Sequence, residues 1–89
     1  MSEPERLRLD KWLWCARFYK TRGIAAAACE KGHIRINGFR VEKPSREVRP
    51  GDVLTIPQGR EVMVVRVLSG ALRRGPATEA RTLYEAVEE

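Results

Sequence analysis

Apolar side chains recur at Leu9, Trp12, Leu13 and Ala16, with Tyr19 or Lys20 next in the series. This i, i+3, i+4, i+7 spacing predicts a first helix over about residues 8–19, with Asp10 suited to its electropositive first turn. Trp14 and Phe18, four residues apart, form a second stripe on another side. They read as core packing beneath the last helix, with a base-stacking platform as the alternative. Thr21 can cap a second helix through "RGIAAAACEK", with Ile24, Ala27 and Ala28 on its buried face and Gly32 as its stop. At His33 the period drops to two. Ile34 and Ile36 alternate with His33 and Arg35, Asn37-Gly38 signals a tight hairpin, and Phe39 to Val41 returns beside the first strand.

Pro50-Gly51-Asp52 turns the chain into "VLTIP", and Pro57-Gln58-Gly59 turns it into "EVMVVRVL", two further strands. After the "LRRGP" loop, Ala80, Leu83, Tyr84 and Val87 share one face of a C-terminal helix. The order is α+β: two short helices on a small antiparallel sheet, plus that last helix. With 89 residues the chain has room for one small core. No apolar run reaches the ~20 residues of a membrane span, and "MSEPERLRLD" lacks the apolar stretch of a secretory signal, so a cytoplasmic protein is expected.

Charge sharpens this outline. Residues 1–50 hold 12 Lys/Arg against 6 Asp/Glu, and residues 51–89 hold 5 against 6, so the first half carries +6 and the second −1. One-sided basic charge is the footprint of a partner rich in phosphate. Arg17, Lys20 and Lys31 fall near expected helix C-termini, where the macrodipole alone accommodates a cation. Arg22 falls at the start of the second helix, where it does not; a phosphate there would meet free N–H groups together with Arg22 and Lys20 or Arg17. On this reading Arg22→Gln leaves folding stability level or slightly raised. The other reading leaves Arg22 extended into solvent or pairs it with Glu30 or Glu42. Arg35, Asn37, Arg40 and Lys43 make the outer face and edge of the hairpin basic, so the alanine-rich helix spaces two groups of cations.

Catalytic chemistry finds little support. His33 is the lone histidine and reads as a polar strand residue, and the serines lack the context of an activated nucleophile. Cys15 and Cys29 have no partners at metal-ligand spacing and read as buried free thiols. No phosphate-binding loop or dinucleotide fingerprint occurs. The chain is therefore expected to be non-enzymatic, with no cofactor, metal or small-molecule substrate.

The segment "RLDKWLWCARFYKTRGIAAAACEKGHIRINGFRVEKPSREVRPGDVLTI" resembles the S-four RNA-binding domain, named after small-subunit ribosomal protein four. The resemblance rests on Arg8-Leu9-Asp10, the basic Arg17–Arg22 junction, Gly32, Ile36-Asn37-Gly38 and Pro50-Gly51-Asp52. It implies an RNA-binding core over residues 7–56, with 57–89 adding a strand, a loop and the C-terminal helix to the same domain. It also implies RNA contacts at Arg8, Lys11, Arg17, Lys20, Thr21, Arg22, Lys31, Arg35, Asn37 and Lys43; the hairpin pattern adds Arg40. "LDKWLWCARFYKTR" together with "RRGPATEARTLYEA" is similar to the heat shock protein 15 family. That likeness implies binding to ribosomal RNA of the free large subunit carrying peptidyl-tRNA, and help in recycling it, with tRNA a possible second contact. Members of that family commonly continue into a longer basic extension, whereas this sequence ends in acidic "EAVEE". A double-stranded DNA binder, or a protein-interaction module using Trp14 and Phe18, are the alternatives.

Overall fold

The structure, a computed structural model, describes residues 7–70 and 74–87. A two-residue strand, Leu7–Arg8 (β1), runs directly into the first helix, Leu9–Cys15 (α1). This helix is shorter than its apolar spacing predicts. Arg17 adopts φ 66°, and the turn closes through Arg17 N donating to the Trp14 carbonyl (3.0 Å) and Phe18 N donating to the Leu13 carbonyl (3.0 Å). That is the double closure of a Schellman motif, built on an arginine where glycine is usual. Phe18 continued the helical spacing for another reason: it stacks on Trp12 (centroids 6.0 Å) and tilts against Tyr84 (4.8 Å).

The second helix, Arg22–Glu30 (α2), begins and ends as expected. Thr21 Oγ1 accepts from Ile24 N at 3.0 Å. At the other end Gly32, at φ 75°, donates to the Cys29 carbonyl, and His33 N donates to the Ala28 carbonyl. The buried face differs. Ala25, Ala28 and Cys29 are buried, while Ile24 is 50% exposed. Alanines on the inward side let α2 lie close to α1, which it contacts directly, and this rotates Ile24 outward.

Ile34–Ile36 (β2) and Phe39–Val41 (β3) form the expected hairpin, with Asn37 at φ 52° and Gly38 at φ 86°. Positive φ at both loop residues is the conformation that Asn-Gly favours. Glu47–Val48 (β4) pairs only with β1, and Val53–Gln58 (β5) and Glu61–Val67 (β6) form a long antiparallel ribbon. The C-terminal helix is a single turn, Ala77–Ala80 (α3), followed by a 3₁₀ turn at Arg81–Leu83. The chain then becomes a strand, Tyr84–Ala86 (β7), where the helix was expected to continue. The open edge of β6 explains the change: β7 pairs along it in the register Val65↔Ala86, Arg66↔Glu85, Val67↔Tyr84, with an Arg66–Glu85 ion pair at 2.6 Å. The sheet order is β3-β2-β5-β6-β7.

One apolar cluster joins the helices to the sheet, centred on Trp12, Leu9, Leu13, Ile34, Leu54, Ile56, Val65 and Val67. Cys15 and Cys29 are buried in it as free thiols. Burial pushes the Cys29 thiol up to about 12, and burial also raises Cys15 despite nearby Lys11, Arg22 and Arg74. Neither is poised as a thiolate nucleophile. Trp14 and Phe18 are half-buried against the same cluster. Among the described residues no helix is long and apolar enough to cross a membrane.

Gly32 is needed for its positive φ, and a Cβ there would also push aside the exposed Arg40 guanidinium. Gly32→Ala is expected to destabilise the fold by about 1–2 kcal/mol. Chemical denaturation should show a lower midpoint with an unchanged slope.

Candidate nucleic-acid interface

The site is organised by a buried acid. Asp10 is 3% exposed at the start of α1. Its Oδ1 accepts from its neighbour's amide, Lys11 N (2.8 Å), and from Arg8 Nε (3.1 Å), while its Oδ2 accepts from Arg8 Nη2 (3.1 Å). Arg22 Nε lies 3.5 Å from Oδ2. Arginines from β1 and from the first turn of α2 are thus gathered on one carboxylate, their side chains still 49% and 42% exposed. The fold itself accounts for the Arg22 cation: the negative group near the start of α2 is Asp10, and the partner is neither Glu30 nor Glu42. The sequence hid this pairing because it joins residues 12 positions apart in different elements.

Arg22→Gln is therefore expected to lower stability by up to about 1 kcal/mol, not to leave it level. The bidentate Arg8 contact keeps Asp10 paired, and partial exposure of Arg22 screens the loss. Thermal unfolding of Arg22→Gln beside Lys20→Gln, whose ammonium has no such partner, isolates the Asp10 contribution.

The remaining expected residues divide by what holds them. The side chains of Lys11, Lys20, Lys31, Arg35 and Lys43 have no hydrogen bond or ion pair among the described residues, and all but the half-buried Lys11 are exposed. Lys43 sits in the loop that caps α1, where Leu9 N and Asp10 N donate to the Arg46 and Pro44 carbonyls. Arg40 reaches back over Gly32 and donates to the Lys31 carbonyl at 3.4 Å, with Glu42 3.9 Å away. It therefore sits at the negative end of the α2 dipole. Arg35 stands directly opposite Arg40 across the hairpin. Like charges in that position repel, and a bound anion would relieve the repulsion.

Three residues have structural duties. Thr21 caps α2. Asn37 donates to Asp52 Oδ1 (3.2 Å) and accepts from Val53 N (3.0 Å), pinning the hairpin to the start of β5. Arg17 turns toward the C-terminal segment, Nε donating to the Gly75 carbonyl at 3.0 Å. Arg74, absent from the expected set, returns the contact by donating to the Trp14 (3.1 Å) and Tyr19 (3.5 Å) carbonyls. The only signal in the sequence was its place in a basic loop.

One cationic group thus surrounds Asp10 at the start of α2, and another, Lys31 with Arg35 and Arg40, lies at its end. Eight helical steps separate them by about 12 Å.

The family model for the S4 domain, the S-four domain introduced above, matches residues 7–54. Heat shock protein 15 of Escherichia coli (strain K12) is 47% identical over 83 residues, which cover 93% of this chain and 62% of that protein. The chain thus spans about three-fifths of the length of that relative. The RQC P-site tRNA stabilizing factor of Halalkalibacterium halodurans is 38% identical over 85 residues, covering 93% of this chain and 92% of that one. The solved structure of trimeric heat shock protein 15 from Vibrio cholerae superposes with a TM-score of 0.89 at 42% identity, covering 93% of this chain and 83% of that one. With the helix pair, hairpin and sheet already in place, these matches make the chain a member of the S4-domain family.

Proposed function

We propose that the chain is a non-catalytic RNA-binding protein of the cytoplasm. It recognises ribosomal RNA of the free large ribosomal subunit carrying peptidyl-tRNA and helps to recycle that subunit, with tRNA as a second contact. The observation that carries this reading is the set of uncommitted cations, Lys11, Lys20, Lys31, Arg35 and Lys43, distributed over α1, α2 and the hairpin. Such groups fix phosphates, while the rigid hairpin reads shape. Likeness to heat shock protein 15 and to a factor named for stabilising P-site tRNA supports the ribosomal partner.

The test is co-sedimentation with large subunits carrying peptidyl-tRNA, with empty large subunits and with intact ribosomes, together with competition by matched RNA and DNA duplexes. Preference for the loaded free subunit and for RNA is expected. Equal competition by DNA would favour the double-stranded DNA reading. Retention of an unfolded polypeptide at high salt, without RNA, would favour a protein-interaction module.

A further inference from the structure

The Arg17 turn and the C-terminal segment enclose an open cleft of about 180 Å³. Its size is set by small side chains: Ala16, Ala77 and Ala80 line it where longer residues would fill the space. An apolar cavity of about 150 Å³ accommodates a benzene ring, so the volume suits one planar ring system. Phe18 and Tyr84, 4.8 Å apart between centroids, supply aromatic wall. Gln58 adds a polar edge: its Nε2 donates to the Phe18 carbonyl at 3.4 Å, and its Oε1 has no partner among the described residues.

The rim is cationic. Arg17 is exposed and held in a left-handed conformation, its Nε anchored on the Gly75 carbonyl, and its terminal nitrogens have no partner among the described residues. Arg81, also exposed, has no hydrogen bond or ion pair from its side chain among the described residues. Two guanidiniums beside a ring-sized space of mixed polar and apolar lining, with an amide oxygen at its edge, match the three parts of a nucleotide: phosphate, base plane and base amino group. An apolar peptide side chain would leave both cations unused, and a free phosphate would leave the aromatic space empty.

We propose that this cleft receives one unstacked base of a single-stranded RNA segment, its phosphate held between Arg17 and Arg81. The proposal rests on the RNA-binding reading and adds to it a pocket for a single nucleotide beside the basic surface.

Titration of the unmodified chain with the four ribonucleoside 5′-monophosphates, followed by NMR, tests it directly. The expected result is movement of the Phe18, Gln58, Ala80 and Tyr84 resonances with nucleotides. Ribose 5-phosphate should move only Arg17 and Arg81. In parallel, Ala77→Leu fills the cleft without altering charge. It should weaken binding of a single-stranded RNA by about tenfold while leaving the salt dependence and the affinity for an RNA duplex of equal length unchanged. Nucleotides that leave the ring resonances unmoved overturn the proposal, as does an Ala77→Leu protein that binds single strands normally. If Ala77→Leu does not fold, the titration of the unmodified chain decides alone. Salt-sensitive RNA binding with a silent cleft removes only the pocket, whereas absence of any RNA binding removes the functional reading beneath it.

Discussion

Raising monovalent salt from 50 to 200 mM is expected to weaken binding of single-stranded RNA by about 250-fold, the consequence of a log–log slope near −4 for about six neutralised phosphates. The fold leaves enough cations available for six such contacts. Lys11, Lys20, Lys31, Arg35 and Lys43 have no internal side-chain partner among the described residues, and the half-exposed guanidiniums on Asp10 can reach a phosphate without leaving that carboxylate. Removing one free cation, as in Arg35→Gln, should make the slope shallower by about 0.7. It should not lower stability, because it also ends the repulsion with Arg40 across the hairpin. Measuring the affinity of one RNA at four salt concentrations checks both statements. A flat response would reject phosphate contacts as the source of affinity.

Trp12→Ala should be the most damaging of the changes considered, costing about 3–5 kcal/mol and lowering the melting temperature by about 12 °C or more. The indole is 1% exposed, stacks on Phe18, meets Tyr84 edge-on at 6.4 Å, and donates from Nε1 to the Ser69 carbonyl at 3.0 Å. It therefore ties α1 both to the end of β6 and to β7, and truncation leaves a void that three elements border. Trp12→Phe separates the contributions: it keeps most of the apolar volume and loses the hydrogen bond, so about 1 kcal/mol is expected. Trp14→Ala, at a half-buried position, should destabilise less and leave the RNA affinity of the folded protein unchanged. Lost RNA binding at unaltered stability in that variant would instead identify Trp14 as a stacking platform.

The elements that were legible in the sequence are those fixed by neighbours in the chain. Thr21 and Gly32 bracket α2 through local hydrogen bonds, and Asn37-Gly38 sets the hairpin through two positive φ angles. The misjudged elements were decided by distant partners. Phe18 kept the spacing of α1 while serving Trp12 and Tyr84. Leu83 and Tyr84 kept the spacing of a helix, yet the unpaired edge of β6 captured the chain as a strand. In the same way the cations of the candidate interface were visible as charge, but their division was not. Asp10 claims Arg8 and Arg22, Gly75 claims Arg17 and the Lys31 carbonyl claims Arg40, all through contacts that residue spacing does not encode.

Arg17 occupies a backbone position that glycine would adopt at lower cost, by about 1 kcal/mol. Arg17→Gly would relieve that backbone cost but lose the hydrogen bond to the Gly75 carbonyl, worth about as much, and with it the anchored guanidinium. Stability is then nearly indifferent to the exchange, whereas the nucleotide pocket proposed above requires the arginine. Thermostabilised variants that acquire Arg17→Gly should be screened for function before they are taken as improvements.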